Sequence, residues 1–504
     1  MPRETTPSLR HGLRPTFVVE YPAIVDSKAQ KELDASFNAG LRLLNTVQNE
    51  ALIRIEMVRQ SSAWADAKKL PKTITKKGKP TKNPERAKAF EAVKKAYRFT
   101  EFELQDYATL VAKRSKWIWE KLDSQSIQKI ATRVFNAVNK ILTGRALKVR
   151  FKNNRSFSSM EGKQIGTGIR VDKKMQMFVW GKLRCPLIID WDDPCQKHGW
   201  DSKWKYARII RRELNGKTRW FVQIVCEGIP YQGRENTQPL DAKVSIDLNI
   251  SNVAYFSFQK AGLKPFADKV PTFEKEIKVI QRSQDRSRRI NNPDNFNSNN
   301  IVFKGKKKGR KVKRKGQIKR GKKLHWNNSK NYRRLLHKRR ELERRKTAYA
   351  RSQNRALAND ILRNGGKHLN LEDVSVKGWQ RRYGKAISAK SPGFFQSELL
   401  RKAESAGGVV NKYSTQKTAC SQTHLDGSRV KKKLSERIHY DQTGIVMHRD
   451  LFSAYLGLFV NQDGYLSVED AFRQYPGSEP ILSAAWAEFQ KRSSDKARPS
   501  PRSS

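Results

Sequence analysis

Residues 243–251 read KVSIDLNIS, and their odd feature is an acid, Asp247, inside an alternating apolar run. Val244, Ile246 and Leu248 recur with the period of two that marks a strand with one packed face, so a carboxylate among them has to be reconciled with burial. Two later stretches repeat the anomaly. In KHLNLEDVSVKG (367–378) Glu372 ends a second strand-like run, and in IVMHRDLFSAYLGLF (445–459) Asp450 opens an apolar helical pattern. Any one of these acids, taken alone, is most simply paired with one of the many Lys or Arg residues nearby. If the three converge, they offer hard oxygen ligands at a density suited to Mg²⁺ or Mn²⁺. Two such ions about 4 Å apart support phosphodiester hydrolysis, one by lowering the pKa of the attacking water and one by stabilising the leaving 3′ oxygen. Asp373 is set aside, because strand alternation turns it to the opposite face from Glu372.

The rest of the composition says what such a site would act on. The chain has 504 residues with 104 Lys+Arg against 48 Asp+Glu, a formal net charge of +56. Such a charge repels itself in a compact state unless a polyanion neutralises it, which excludes an ordinary small-molecule enzyme and predicts DNA, RNA or both as partner. With 37% hydrophobic residues and 11 Trp the chain can still bury sizeable cores, in roughly two to four domains. Cys185, Cys195, Cys226 and Cys420 form neither a disulfide framework nor a CxxC knuckle, which fits a reducing interior. No signal-like apolar segment opens the sequence and no long apolar run interrupts it, so neither secretion nor a membrane partner is expected.

Towards the N-terminus, residues 13–22 predict one strand, and from Ser27 the apolar positions Leu33, Phe37, Leu41, Leu44 and Val47 predict helix. Pro71 and the basic loop KTITKKGKPTKNPERAK break it. Asp123 or Ser124 caps a later helix with a buried face of Ile127, Ile130, Ala131, Val134, Val138 and Ile141, closed by Thr143-Gly144. Between residues 147 and 231 the short runs KVRF, GIRV, QMFVW, LIID, YARIIRREL and RWFVQIVCEG predict a β-rich module, read as a small barrel. Lys148, Arg150, Lys152 and Arg155, on successive strand and turn positions, are its candidate phosphate contacts, whereas Trp117 and Trp119 are assigned to the core.

Beyond the first acidic strand, residues 304–323 hold thirteen Lys or Arg and no acid, so they are either a solvated loop or a phosphate-binding segment. Asn328 or Ser329 then caps a long basic helix that Gly365-Gly366 ends. Its Arg333, Arg334, Arg339 and Arg340 are candidates for tracking a nucleic-acid backbone, over a narrow apolar stripe of Leu335, Leu336 and Leu342. Residues after 492 read as a disordered tail.

In order, SIDLNIS, LNLEDVSVKG and HRDLFSAYLG resemble the three RuvC motifs of the TnpB family of transposon-encoded, RNA-guided nucleases, from which the type V CRISPR effectors descend. LDSQSIQKIATRVFNAVNKI followed by KVRFKNNRSFSSMEGK is similar to that family's recognition and wedge segments. The resemblance implies a multidomain α+β protein, with an RNase-H-like (RuvC) α/β nuclease domain and an N-terminal helical recognition domain inserted in a wedge β-barrel. The implied divisions are 1–26 (first wedge strand), 27–144 (recognition), 145–238 (wedge), 239–410 (nuclease with basic loop and helix), 411–445 (degenerate zinc ribbon), 446–492 (nuclease end) and 493–504 (tail). It further implies Asp247, Glu372 and Asp450 as catalytic, metal-binding residues. The expected partners are a guide RNA, double-stranded target DNA and its displaced strand, bound by a cytoplasmic, nucleoid-associated prokaryotic protein taken as a monomer, with dimerisation open.

The sequence departs from the family pattern in several places. Ser245 and Asn249 stand where the first motif usually has glycines, and Phe452 where the third usually has Asn. The ribbon has lost its CxxC pairs. Cys420, His424, His439 and His448 are the remaining donors for zinc, but zinc is not expected, and a hairpin folding without metal is. Two alternatives stay open: a guide-dependent DNA-binding protein that does not cut, for which the triad would usually be damaged, and an unguided transposase.

Overall fold

The computed structural model describes residues 16–497, apart from 77–78, 234–237, 305–309, 322–323 and 434. The chain is a mixed α/β protein of two compact units, one spanning residues 14–233 and the other continuing from 234.

The first unit opens with β1 (Thr16–Ala23), which enters a helical excursion: α1 (Ser27–Gln60), α2 (Ser62–Lys69), the hairpin β2 (Thr73–Lys76) and β3 (Lys79–Lys82), α3 (Pro84–Ala96), α4 (Glu101–Arg114), α5 (Lys116–Lys121) and α6 (Ser124–Leu142). Asp123, not Ser124, caps α6, accepting from Ser126 N at 3.0 Å and also from Trp180 Nε1 at 2.8 Å. The six apolar residues expected on its inner face are all buried, the Ile and Val side chains each contributing about 1.5–3 kcal/mol and Ala131 less. The basic loop after Pro71 is partly the β2–β3 hairpin.

The strands that follow are β4 (Ser159–Glu161), β5 (Arg170–Asp172), β6 (Met177–Trp180) and β7 (Leu183–Pro186); α7 (Pro194–Asp201) precedes the long pair β8 (Trp204–Leu214) and β9 (Lys217–Glu227). They form two sheets, β1-β9-β8-β4 and β5-β6-β7, linked where Ile24 N donates to Pro186 O and Ile188 N to Pro22 O. Two predicted strands are absent. LIID makes only a single bridge, Leu187 to Ala23, and KVRF runs extended without a ladder partner. Its neighbour is a side chain: Asn45 on α1 accepts from Lys152 N and donates to Lys152 O, both at 2.9 Å.

The second unit is built on a five-stranded sheet. β10 (Lys243–Leu248), β11 (Asn252–Phe256) and β12 (Ala261–Pro265) form an antiparallel meander; β15 (His368–Glu372) and β16 (Val410–Tyr413) add in parallel on the other side of β10, giving the order β12-β11-β10-β15-β16. Between β12 and β15 lie α8 (Glu274–Asn291), the hairpin β13 (Asn300–Lys304) and β14 (Arg310–Arg314), and α9 (Lys330–Asn364). The basic run, read as a solvated loop or a phosphate-binding segment, has its residues 310–314 in a strand, while 305–309 and 322–323 lie outside the described residues. Ser329 caps α9, accepting from Tyr332 N at 3.1 Å.

After β15 come α10 (Val376–Lys390) and α11 (Pro392–Ser405); after β16 come α12 (Thr415–Thr418), the hairpin β17 (Ile438–Tyr440) and β18 (Val446–His448), α13 (Arg449–Leu458) and α14 (Val468–Ala497). Residues 411–413, expected in the degenerate ribbon, are thus the edge of the main sheet. The last helix runs past 492 to 497, and 498–504 lie outside the described residues. One face of the sheet packs Val244, Ile246, Leu369 and Leu371 against α9 and α11; the other packs Ala254, Phe256 and Tyr413 against α13 and α14. Among the described residues no helix is long and apolar enough to cross a membrane.

Candidate functional site

Strand alternation decides which face the acids take. With Val244, Ile246 and Leu248 turned to the α9 side, Ser245 and Asp247 face α13. The parallel register pairs Ile246 with Leu371, so Asp247 and Glu372 occupy neighbouring positions on adjacent strands, about 4.8 Å apart along the hydrogen-bonding direction. On β15 the same alternation turns Asn370 towards α13, where its Nδ2 donates to Gly457 O and Val460 O, both at 2.9 Å.

Helix α13 lies hard against this face. A Cβ at Gly457 would meet Ser245 Oγ at 2.2 Å and Tyr413 Oη at 2.4 Å, so any larger residue would have to displace these hydroxyls or the helix itself. Asp450 is seven residues earlier, two turns along the same helix face and roughly 10 Å away, which brings it over the sheet near the end of β10. His448 caps the helix, accepting from Asp450 N through Nδ1 at 3.2 Å. Ser245, one of the departures from the motif pattern, is the residue on which the glycine rests.

The three acids share one electrostatic environment. Burial holds the Asp247 carboxyl well above the usual carboxylate range, and the negative charges of Asp450 and Glu372 raise it further. Burial also pushes Glu372 up to about 7. Asp450 is 1% exposed, and its Oδ2 is buried without a hydrogen-bond partner. Arg449 lies 3.5 Å from one oxygen of Asp450 and Arg437 3.9 Å from the other. Asn249 Nδ2 donates to Asp247 Oδ2 at 3.1 Å. Crowded carboxylates with an oxygen that lacks a hydrogen bond suit a hard divalent cation, and the thiol close enough to feel the charges of Glu372 and Asp247, Cys420, is held protonated by burial. Sequence reasoning passed over Arg437, Arg449 and the role of Asn249. Arg449 adjoins Asp450, but nothing local in the sequence signals that Arg437, thirteen residues away, reaches the same carboxylate.

The proposed zinc donors do not gather as a set. His424 and His439 converge with Asp441, all buried, but neither Cys420 nor His448 joins them. Every oxygen of Asp441 has protein partners: Oδ1 accepts from Thr443 N and Oγ1, and Oδ2 from Leu425 N and, at 2.9 Å, His439 Nε2. Lys432 donates to the other ring nitrogen of His439. Burial, foremost, lowers the His439 pKa to about 4, which keeps the ring neutral. The ring stacks on Phe452 at 4.0 Å, so the phenylalanine that departs from the third motif packs against this altered ribbon. Burial among apolar residues pushes the Cys420 thiol up to about 12.

The candidate nucleic-acid contacts divide. Lys148, Arg150, Lys152 and Arg155 are all exposed, and among the described residues none has an ion-pair partner. On α9, Arg333 is exposed, and Arg334 donates to Asn331 at 3.1 Å. Arg339 is engaged internally by Gln284 at 3.0 Å and Glu343 at 3.5 Å, and Arg340 is half-buried and partnered. Trp117 and Trp119, expected in the core, are instead 48% and 42% exposed. Ile118 between them takes the buried position, because a single-turn helix offers the core only one side.

No protein-family model matches the chain, and no curated protein does. Among solved structures it is similar to a Cas12f1–sgRNA–target DNA complex, with a TM-score of 0.41 and 8% identity over 88% of this chain and 98% of that one. It is also similar to a CRISPR-Cas12f ternary complex, with a TM-score of 0.25 and 10% identity over 85% of this chain and 81% of that one. Neither likeness is close enough to decide the function, which rests on this chain's own residues.

Proposed function

We propose that the chain is an RNA-guided DNA endonuclease whose hydrolytic residues are Asp247, Glu372 and Asp450. The supporting observation is the meeting of three carboxylates from distant segments on one face of the sheet, where each of the other two raises Asp247 and one oxygen of Asp450 accepts no hydrogen bond. The strand order, an antiparallel meander extended by two parallel strands, supports an RNase-H-like nuclease domain. Residues 27–144 serve as recognition domain, and 1–26 with 145–238 as wedge.

Magnesium or manganese ions held by the three acids would supply an acidified water and a stabilised leaving oxygen. The protein's part is to hold the oxygens where such ions need them. Two adjacent strands fix Asp247 and Glu372, and the N-terminal turn of α13 fixes Asp450. Asn249 binds one oxygen of Asp247 and leaves the other free to ligate. Sequence specificity lies with the RNA, whose backbone and shape the cationic surfaces hold.

The test is to express the protein with its native flanking DNA, sequence the RNA that copurifies and assay guided cleavage with Mg²⁺ or Mn²⁺. One abundant RNA with a constant scaffold and a variable end, and cutting that each alanine substitution in the triad abolishes, is the expected result. A smear of cellular RNA, or cutting that survives the substitutions, overturns the assignment. A second reading, guide-dependent binding without cleavage, is favoured by Arg449 and Arg437, which already balance Asp450. It requires target occupancy with no cutting in either metal.

A further inference from the structure

Within the first unit, α1, α5 and the turn after Lys152 enclose an open cleft of about 500 Å³ lined by Asn38, Leu41, Arg42, Trp117 and Asn154. The volume is in the range of sites for small ligands. The lining is unusual for a solvated surface, because it combines a half-exposed indole with two amides and a guanidinium. Lys113 covers the ring of Trp119 at 5.7 Å, but among the described residues neither a cation nor another ring covers Trp117.

The turn on the far side of the cleft is fixed in advance. Asn45 brackets the backbone of Lys152, and the Asn153 side chain accepts from Arg155 N at 3.1 Å and Ser156 N at 2.9 Å. Arg211 ties the same turn to α1, pairing with Asp34 at 2.9 Å, lying over the Phe37 ring at 5.1 Å and donating to Phe157 O at 3.4 Å. All these bonds are made by backbone atoms of the turn or by Asn153. The side chains of Lys152, Asn154 and Arg155 are thereby left exposed, and neither these cations nor Arg42 has an ion-pair partner among the described residues. A rigid turn with unneutralised cations beside an uncovered indole is an arrangement suited to a ligand with both a flat ring and a phosphate.

We propose that this cleft is a nucleobase slot, in which a base unstacked from a bound strand lies on Trp117, its edge faces Asn38 and Asn154, and its flanking phosphates meet Arg42, Lys152 and Arg155. It deepens the proposed nucleic-acid function and depends on that function only in requiring a bound strand. Stacking on an aromatic ring strengthens binding by roughly tenfold per base, and amide side chains can select among base edges. The same chemistry serves an RNA base and a DNA base, so the two are separated by experiment.

The full chain is titrated with single-stranded DNA and, in parallel, RNA oligonucleotides carrying 2-aminopurine or an abasic site at successive positions. Wild type is compared with Trp117→Ala, Trp117→Phe and Asn154→Ala. The expected result is quenching of 2-aminopurine at one position, a loss of affinity of roughly tenfold in Trp117→Ala, and recovery of most of it in Trp117→Phe. An abasic site at the quenched position should weaken wild type by a similar factor and leave Trp117→Ala unaffected. The arm that responds, DNA or RNA, identifies the strand. Equal affinity of wild type and Trp117→Ala in both arms, or an equal loss in Trp117→Ala and Trp117→Phe with no abasic effect, overturns the slot. Guided cleavage is scored separately: loss of the slot with triad-dependent cutting intact leaves the nuclease assignment standing, and base-specific quenching without cutting does the reverse.

Discussion

The acidic face beneath α13 and the cationic turn beside Trp117 are opposite solutions to placing charge. Asp247 and Asp450 are buried and Glu372 is half-buried; the three are crowded and fixed by strand register and by a glycine contact, so their mutual repulsion is held in check by packing. The cations around Lys152 are exposed and, among the described residues, have no ion-pair partner, and the backbone beneath them is fixed. A site for compact ions is built by forcing like charges together, whereas a site for a long polyanion is built by leaving them uncompensated at the surface. The contrast predicts all-or-none effects in the first region and graded ones in the second.

The sharpest way to break that contrast is to remove one buried acid. Asp247→Ala, Glu372→Ala and Asp450→Ala should each lower guided cleavage by about a thousandfold or more, while RNA and target binding stay within about twofold. A variant that still cuts takes its residue out of the site.

The next largest effect is on stability. His439→Ala removes the bond to Asp441 and the stack on Phe452, and leaves a buried carboxylate with one partner fewer. A loss of about 2–4 kcal/mol in denaturant unfolding is expected. Zinc chelation should leave the melting temperature of wild type unchanged, because the Asp441 oxygens are already occupied. A fall on chelation would make the His424, His439 and Asp441 cluster a metal site.

The pH response sharpens the same comparison. Glu372 titrates near 4.5 in the unfolded chain and at about 7 in the fold, so the protonated carboxyl is what the fold favours. Without divalent cations its contribution is fully present below pH 4.5 and is lost as pH rises through 7, by about 3 kcal/mol at most. Stabilisation by Mg²⁺ should therefore grow between pH 5 and pH 8 and shrink in Glu372→Gln. An equal melting shift across that range would argue against cation binding at these acids.

The smallest effects belong to the exposed cations. Lys148→Ala, Arg150→Ala, Lys152→Ala and Arg155→Ala should each weaken nucleic-acid binding a few-fold and reduce its salt dependence by about one counterion. No change in the salt slope would remove that residue from the interface.

Elements whose signal is local were legible in the sequence. The alternation of β10, the capped amphipathic pattern of α6, the Ser329 start of α9 and the three acidic motifs all follow from neighbours within a few positions. The errors lie where tertiary partners decide. KVRF has the composition of a strand but forms no ladder, and the residue that follows it, Lys152, has its backbone bracketed by the Asn45 side chain. Part of the basic run pairs with β13 despite its charge. Trp117 and Trp119 have the composition of core residues, but the short α5 gives the core only Ile118. The candidate site was legible as a list of acids. Its depth, the arginines around Asp450 and the cluster of His424, His439 and Asp441 were not, because each joins residues from segments that only the fold brings side by side.

Gly457 carries no charge and lies seven residues from Asp450, but it sets how closely α13 approaches the sheet. A single added methyl group there must displace the buried Ser245 and Tyr413 hydroxyls or move the helix, so Gly457→Ala is expected to shift Asp450 relative to Asp247 and Glu372 while leaving every ligand in the sequence. Chemical competence in this chain is thus exposed to drift at a position that no survey of acidic residues would guard. Lineages that kept target occupancy but lost cutting could arise by that route with an intact triad, and comparing occupancy with cleavage in Gly457→Ala would reveal it.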